Sequence, residues 1–405
     1  MKILFVGMIE SIHLVRWVGQ LKNVEWERFV FPVYGPKPHP NLRDVTLINR
    51  GDFMGSFYNR NLKYDHGTLP FFMLNAVNKI IKKQISPLEP AEWPYKLLVS
   101  ALAHTIRRIK PDIVHSLEFQ GAGYLTLAAK QSFNAKFPTW IATNWGSDIY
   151  LFGRLADHRE RVRAVLENCD YYSCECERDV YLARQHGLRG KTLSVFPNTG
   201  GFDLEECSRL RADGSVSDRK LIILKGYQGW AGRSLFGLRA LARCAEIIKE
   251  KGLSVAIYFA GGQDVKIAAE LFSQETGIPV EIIGASSHKD MLNLYGRARI
   301  YIGLSISDAI STSMLEAMVM GAFPIQSDTS CATEWIADGQ SGLIVPPEDV
   351  DIIEVAIRRA LLDNALVDNA ALLNYETARS RLDENIIIPK VFDFYEQVIS
   401  GNTER

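Results

Sequence analysis

Short apolar runs alternate with amphipathic stretches along most of the 405-residue chain. The apolar and β-branched runs predict buried strands at 2–7, 24–34, 45–48, 112–116, 140–143, 171–176, 193–196, 221–224, 254–260, 280–283, 299–304 and 322–326. Apolar residues spaced three to four positions apart predict helices at 14–22, 93–110, 159–168, 177–187, 236–249, 313–320, 351–363, 366–380 and 386–400. This alternation predicts an α/β fold with two parallel-sheet domains and right-handed crossovers.

A polar, glycine-containing segment separates two series of alternating elements. Residues 199–219 (TGGFDLEECSRLRADGSVSDR) show no strand pattern, which indicates a linker at 201–219. The predicted domains are therefore 1–200 and 220–384. A cleft between two such domains is the expected place for a ligand.

The stretch 299–347 contains the clearest candidate for a ligand site. Its pattern predicts a strand, a polar loop, a helix and a second strand. Ligands of open parallel sheets bind where loops leave the carboxyl ends of strands, and a helix N-terminus binds anions through its backbone N–H groups. The loop Asp308–Ser313 is therefore predicted to hold a phosphate group, with the acids Asp308 and Glu316 beside it.

Both acids also have structural interpretations, and the sequence leaves these open. Ser313 and Glu316 have the S-x-x-E spacing of a capping box, which needs no ligand. Asp308 is equally suited to capping a turn.

Composition indicates a globular chain, with 47% hydrophobic and 23% charged residues. No apolar run reaches the roughly 18–20 residues of a membrane-spanning helix. The N-terminal MKILFVG leads into a strand without the pattern of a signal peptide, so the expected location is the cytoplasm. The six cysteines lack zinc-site spacing and are predicted to be small buried apolar residues.

Charge is distributed unevenly between the two halves. Residues 1–200 hold 26 Lys+Arg and 18 Asp+Glu, a net of +8, whereas 201–405 hold 20 and 29, a net of −9. The positive half favours an anionic partner, such as an anionic membrane surface or a phosphorylated acceptor, with scatter between domains as the alternative.

A basic amphipathic helix predicted at 69–85 fits peripheral membrane contact or packing on its own domain.

Several motifs of other protein classes are missing from the sequence. No G-x-G-x-x-G follows Gly7, and no G-x4-G-K-[ST] occurs, which argues against dehydrogenases and P-loop kinases. The single D-x-D, at 349–351, begins a predicted helix and is expected to cap it, so no metal site is predicted. No signature of nucleic-acid binding is present.

The acid pair gains meaning from the sequence that follows it. Asp308-x7-Glu316, with LEAM, G-x-F-P-I, Glu334 and DGQSGLIVPP, resembles the donor-site signature of retaining glycosyltransferases of family 4. That family has the GT-B fold, in which two Rossmann-like domains face each other across a cleft. The first acid of the motif is usually Glu, so Asp308 is one methylene shorter.

The resemblance implies roles for residues of the second domain. Asp308 would lie by the donor sugar, and Glu316 would bind the ribose hydroxyls. The remaining donor contacts are the diphosphate-facing N–H groups of Ile310, Ser311, Thr312 and Ser313, and the nucleobase-lining backbone of Gly284 and Ala285. Lys225 and Arg233 flank the glycine loop that begins at Gly226, and would act as fixed cations for the diphosphate. The alternative interpretation of Lys225 and Arg233 is that they are solvated loop charges without a ligand. His288 is expected to cap the helix that follows it.

The resemblance also implies an acceptor side in the first domain. Its candidate residues are Gly7, His13, Glu118, Gly146 and Asp148. Many family members carry histidines at two nearby places, which are Leu117 and Trp145 here. A retaining mechanism that needs no enzymatic base tolerates both changes. In this fold the last helix, within 385–405, commonly crosses back onto the first domain.

The function implied is that of a retaining, metal-independent glycosyltransferase that needs no cofactor. It would move a sugar from a nucleotide-diphosphate donor to a glycan or lipid-linked acceptor, in the synthesis of surface polysaccharide or glycoconjugate. The alternatives are a non-catalytic nucleotide-sugar-binding or partner protein of this fold, and a sugar-nucleotide epimerase. Nucleotide release without a transfer product would indicate the epimerase.

Overall fold

The computed structural model describes residues 1–34, 37–48, 62–65 and 92–403. The basic amphipathic helix predicted at 69–85 lies outside them. The chain divides into two compact units, one formed by Met1–Gly200 with Ile388–Arg405 and the other by Gly201–Ile387. None of the helices in the described ranges has both the length and the apolar composition that crossing a bilayer requires.

The described part of the first unit contains a parallel sheet of eight strands in the order β4-β3-β2-β1-β5-β6-β7-β8. The strands are β1 (Lys2–Gly7), β2 (Glu27–Pro32), β3 (Thr46–Ile48), β4 (Lys63–Asp65), β5 (Ile113–Leu117), β6 (Thr139–Thr143), β7 (Tyr171–Ser173) and β8 (Lys191–Thr192). Strand order reverses between β1 and β5, which makes their carboxyl ends the switch point where ligands bind in such sheets.

Helices of the first unit cover the sheet and bury its apolar strands. They are α1 (Ile12–Gly19), α2 (Glu92–Ile109), α3 (Tyr124–Gln131), α4 (Ser147–Tyr150), α5 (Ala156–Asn168) and α6 (Glu177–Gln185). All five residues of β5 are buried, because a parallel strand with helices on both faces has no solvent side.

The second unit contains a parallel sheet in the order β11-β10-β9-β12-β13-β14, with its switch point between β9 and β12. The strands are β9 (Leu221–Lys225), β10 (Ser254–Tyr258), β11 (Val280–Ile283), β12 (Ala298–Gly303), β13 (Phe323–Ser327) and β14 (Leu343–Val345). The helices are α7 (Leu204–Leu210), α8 (Ser234–Arg243), α9 (Ala245–Glu250), α10 (Gln263–Thr276), α11 (His288–Arg297), α12 (Thr312–Val319), α13 (Val350–Leu362) and α14 (Asn364–Arg381). The predicted fold class, two α/β domains with parallel sheets, is confirmed.

The last helix, α15 (Glu384–Thr403), begins in the second unit and belongs to the first from Ile388 onwards. From Ile388 onwards its buried residues recur at helical spacing: Val391, Phe394, Tyr395 and Val398. The Tyr395 hydroxyl lies 2.8 Å from Nδ1 of the fully buried His115. This helix is therefore part of the core of the first unit.

Two parts of the sequence-based outline need correction. The predicted linker 201–219 contains α7 and packs within the second unit, where the Arg219 guanidinium donates to the carbonyls of Ala298 and Met320, both at 3.1 Å. The strand predicted at 193–196 does not form, because pairing with β7 ends at Thr192 and Phe196 instead stacks on Trp17.

Candidate functional site

The switch point of the second sheet brings a cation and an acid together. Lys225 is the last residue of β9, and Asp308 lies in the loop that follows the neighbouring β12. The Lys225 Nζ is 3.9 Å from an Asp308 carboxylate oxygen. Both side chains are largely shielded, at 18% and 27% exposed, so their charges are less screened than surface charges.

The charge on Lys225 is held by its surroundings. Burial alone would lower the pKa of this amine. Charge interactions with neighbouring groups, first Tyr301 and then Asp308, outweigh burial and raise the pKa of Lys225 above its ordinary value. The ammonium group therefore stays charged at neutral pH, as a fixed cation for a phosphate must.

Helix α12 presents its N-terminus next to Asp308 in the sequence. Ser311 is the N-cap residue, and its side chain makes no capping hydrogen bond. Ser313 lies inside the helix, so the capping-box interpretation of Ser313 and Glu316 is wrong. The N–H groups of the first turn, at Thr312 and Ser313, have no intrahelical carbonyl to bind, which is the arrangement that suits an anion.

Glu316 points its carboxylate at a histidine rather than at its own helix start. Its Oε1 lies 3.0 Å from Nε2 of His288, and the residue is only 6% exposed. An ionised carboxylate only accepts hydrogen bonds, so Nε2 carries the proton in this contact. The prediction that His288 caps α11 is wrong, because Ser287 and Asp290 form that capping box.

Arg233 is tied to its own loop. Its Nε lies 2.5 Å from a Glu348 carboxylate oxygen, and Nη1 donates to the carbonyls of Gly232 and Gly229. A phosphate bound here would have to compete with Glu348. Lys225 is therefore the better placed of the two predicted cations.

The small residues predicted at this edge have different surroundings. Gly226 donates its N–H to the Tyr258 carbonyl at 2.7 Å, and a Cβ there would lie 2.7 Å from Cγ2 of Ile257, so packing alone requires glycine. Gly284 and Ala285 follow β11 and are not buried. Their backbone is therefore accessible, as contact with a base requires.

The D-x-D at 349–351 has structural contacts. The Asp349 carboxylate caps α13 by accepting from the N–H groups of Asp351 and Ile352, both at 3.1 Å. Asp351 forms an ion pair with Arg243.

In the first unit, Glu118 and Asp148 follow the neighbouring strands β5 and β6, and both are buried. Glu118 accepts hydrogen bonds from the N–H groups of Gly121 and Ala122, and its backbone (φ 76°, ψ 158°) lies in a region that glycine alone adopts readily. Asp148 accepts from the N–H groups of Trp145 at 2.7 Å and Phe119 at 3.2 Å. The two carboxyl groups thus hold the loops of this edge.

These two acids influence each other. Burial, the largest effect, raises the pKa of Glu118 to about 7, against the opposing hydrogen bonds from Gly121 and Ala122. Burial and then the charge of Glu118 raise the pKa of Asp148 well above its ordinary value. Near neutral pH these two carboxyl groups therefore stay partly protonated, whereas exposed carboxyl groups would be ionised.

The other acceptor-side candidates lie close to these loops. Gly7 ends β1, and a Cβ there would lie 2.9 Å from Cδ1 of Leu14, so its packing requires a small residue. Gly146 has φ 82°, which favours glycine. The His13 ring lies 5.3 Å from the Trp145 ring.

Solved structures with the same arrangement of elements cover nearly the whole chain. Sucrose-phosphate synthase of Thermosynechococcus elongatus has a TM-score of 0.69 at 16% identity, covering 99% of this chain and 100% of its own. HepE of Anabaena, solved with UDP-glucose, has a TM-score of 0.65 at 15% identity, covering 98% and 100%. An apo structure of OtsA has a TM-score of 0.68 at 12% identity, covering 98% and 99%. These similarities show the GT-B fold.

Two family models also match. The model for Glycosyl transferases group 1 covers residues 237–378, which include Asp308 and Glu316, and the model for Glycosyl transferase 4-like covers 76–172. The chain is a glycosyltransferase of the GT-B type. No curated protein matches this glycosyltransferase in sequence. The resemblance predicted from the Asp308–Glu316 motif is confirmed at this level.

The sequence did not indicate every residue that shapes these edges of the glycosyltransferase. The contact of His288 with Glu316 joins residues 28 positions apart, and only the helix-start pattern at 287–290 was visible. Tyr34 follows β2, and its hydroxyl would clash with a Cβ at Gly121, so it lies against the loop that Glu118 caps. A lone tyrosine after a strand gives no pattern from which that contact follows.

Proposed function

We propose that this glycosyltransferase is a retaining enzyme that moves a sugar from a nucleotide-diphosphate donor to a glycan or lipid-linked acceptor. The observation that carries the proposal is the pair at the switch point formed by Lys225, at the end of β9, and Asp308, in the loop that leads into α12. Lys225 supplies a cation for the diphosphate, and Asp308 supplies an acid for the sugar. The start of α12 supplies N–H groups for the diphosphate, and we assign Glu316 to the ribose. HepE, a structural relative, was solved with UDP-glucose, a donor of this chemical class.

The reaction breaks the bond between C1 of the sugar and the diphosphate oxygen, which keeps the electron pair. Lys225 and the N–H groups at the start of α12 stabilise that developing charge, a task we assign to the protein rather than to a metal ion or cofactor. Retention requires the acceptor oxygen to bond to C1 on the face from which the diphosphate departs. The acceptor proton then passes to the departing phosphate oxygen, so Leu117 and Trp145 need not be histidines.

We assign the acceptor to the first unit. Residues 1–200 carry a net charge of +8, which favours an anionic glycan or a lipid-linked acceptor at an anionic membrane surface. The reaction we propose is a step in the synthesis of surface polysaccharide or glycoconjugate, at the inner, cytoplasmic face of the membrane.

The donor site is tested by binding and by turnover in matched variants. We expect Glu316→Ala to abolish the melting-temperature shift caused by the matching nucleotide, screened among UDP, GDP, ADP and CMP with and without EDTA. Asp308→Ala should keep nucleotide binding and lower transfer, because the acid serves the sugar. Glu246→Ala is the control, because it changes an exposed acid on α9, far in the sequence from both Asp308 and Glu316.

The outcomes separate the candidate functions. Unchanged nucleotide affinity in Glu316→Ala would exclude the ribose assignment, and normal turnover in Asp308→Ala would remove that acid from the site. A shift abolished by EDTA would contradict the metal-independent mechanism. Nucleotide binding without any transfer would indicate a non-catalytic protein, and nucleotide release without a transfer product would indicate an epimerase or hydrolase.

A further inference from the structure

Phe259 has a backbone conformation that bulky residues rarely adopt. Its φ is +60°, in the left-handed region, where a non-glycine residue is under steric strain. Its side chain is 65% exposed, so burial in the core does not repay that strain. Strained residues of this kind concentrate at functional sites.

The conformation is held from both sides by backbone hydrogen bonds. The N–H of Gly226 donates to the carbonyl of Tyr258 at 2.7 Å, and the N–H of Gly261 donates to the carbonyl of Phe259 at 3.0 Å. The ring also contacts the Tyr227 ring, with 5.8 Å between their centroids. The strand end and two neighbouring loops therefore fix where this exposed ring lies.

The sheet register places Phe259 between two predicted parts of the donor site. It follows Tyr258, which pairs with Ile283 on one side and with Lys225 on the other. Neighbouring strands are about 4.8 Å apart, so Phe259 leaves the sheet beside Gly284 on one side and beside Gly226, the residue after Lys225, on the other. Lys225 Nζ is in turn 5.8 Å from the centre of the Tyr227 ring.

The strand order gives the direction in which a donor would run. Along β10, β9 and β12 it sets Phe259, Lys225 and the Asp308 loop in that sequence. With the sugar at Asp308 and the diphosphate at Lys225, the group beyond Lys225 is the nucleoside. A nucleobase is a flat aromatic ring, and stacking on an exposed aromatic side chain is a favourable way to bind one.

We infer that Phe259 is the stacking contact for the nucleobase of the donor, a residue that sets affinity for the nucleoside part. This inference rests on the proposed function, because it takes the ligand to be a nucleotide-diphosphate sugar. Stacking is tolerant of base identity, since every base has a flat face. Phe259 therefore contributes affinity, whereas hydrogen bonds from the backbone at Gly284 and Ala285 select the base.

The test compares a nucleoside diphosphate with inorganic pyrophosphate as ligands. We expect Phe259→Ala to weaken binding of the matching nucleoside diphosphate about tenfold in calorimetry, in line with the loss of one base–aromatic stack. Pyrophosphate binding, measured by competition, should not change. Phe259→Trp keeps a flat ring and should bind as the wild type does, whereas Phe259→Leu, apolar but not flat, should behave like Phe259→Ala.

Folding is checked separately. Phe259→Gly removes the ring and the strain together, so we expect it to melt no lower than the wild type while binding nucleotide as weakly as Phe259→Ala. Leu372→Ala removes an exposed apolar side chain on α14 and should leave binding unchanged.

Each contrary result has its own meaning. Wild-type affinity in Phe259→Ala, alongside lost binding in Glu316→Ala, would overturn the stacking contact and leave the proposed function intact. Equal weakening of pyrophosphate and nucleotide would also overturn it, because the loop and not the ring would then be responsible. If the wild type bound no nucleoside diphosphate, the proposed function and this inference would both be wrong.

Discussion

At the carboxyl end of β5, the Glu118 side chain is enclosed by the loop that it caps. Its pKa is raised from 4.5 to about 7, mainly by burial, so the folded state favours the protonated carboxyl. The stabilising contribution is complete below the unfolded pKa and is lost as the pH rises through the folded pKa. Burial lowers the pKa of His115 to about 3. The stabilising contribution of this histidine therefore has the opposite pH dependence, and the protein loses it as the pH falls.

We expect Glu118→Gln to remove part of this pH dependence, because the amide keeps an oxygen for the loop N–H groups but cannot ionise. Between pH 5 and pH 8, the free energy of unfolding of the wild type should fall relative to that of the variant. Urea titrations followed by tryptophan fluorescence measure this, since five of the seven tryptophans lie in residues 1–200. A constant difference between the two proteins across this range would show that Glu118 titrates as an ordinary exposed acid.

The sequence indicated at which strand ends the candidate residues lie better than it indicated what their side chains contact. Glu118 was expected to face the acceptor, yet its carboxyl turns into its own loop. That turn depends on a backbone conformation (φ 76°) that no local pattern signals for glutamate. His288 was assigned to a cap because the pattern at 287–290 is local, whereas its contact with Glu316 depends on the fold.

At the scale of elements, the strand–loop–helix unit around α12 was predicted well. The buried run of β12 and the apolar helix after it have clear periodicities, and Gly321, with φ +85°, follows the helix end as expected of a C-terminal stop. The start was predicted at Ser313, whereas the helix begins one residue earlier, at Thr312. The structure selects Ser311 as the N-cap residue, which fixes the N–H groups that face outward.

This helix start allows one N–H group to be removed without disturbing the helix. Proline is favoured at the first helical position, which is Thr312, and the preceding Ser311 (ψ 106°) is already extended. We expect Thr312→Pro to keep the melting temperature and to weaken nucleoside diphosphate binding by about tenfold or more, the loss of one hydrogen bond to a charged group.

Thr312→Ala is the matched control, since it changes the side chain and keeps the N–H. Equal affinity in the proline and alanine variants would mean that this N–H makes no contact with the phosphate. A lowered melting temperature in Thr312→Pro alone would show instead that Thr312 is not the first residue of the helix.

At the scale of the whole molecule, alternating strands and helices were enough to predict two parallel-sheet units. The ends of the units were harder to place, because they depend on contacts between distant residues. Residues 201–219 look like a polar linker, yet the buried Val216 and the carbonyl contacts of Arg219 attach them to the second unit. Membership of α15 in the first unit depends likewise on partners more than 250 residues away in the chain.

One hydroxyl group makes the clearest of those connections. Tyr395 accepts from Nε1 of Trp17 at 2.9 Å and lies 2.8 Å from Nδ1 of His115, whose Nε2 is 2.6 Å from the Thr143 hydroxyl. The indole only donates, so the Tyr395 proton goes to Nδ1 and the histidine proton to Thr143. All four groups are buried, and removing the central hydroxyl leaves a donor and an acceptor without partners.

We therefore expect Tyr395→Phe to lower the free energy of unfolding by about 1–3 kcal/mol, the usual loss for an unsatisfied buried polar group. Urea unfolding followed by tryptophan fluorescence measures it, with Tyr181→Phe, at a 62% exposed tyrosine, as the control. Nucleotide affinity should not change, because the predicted donor residues belong to the second unit. Stability equal to that of the control would mean that apolar packing alone holds α15 in the first unit.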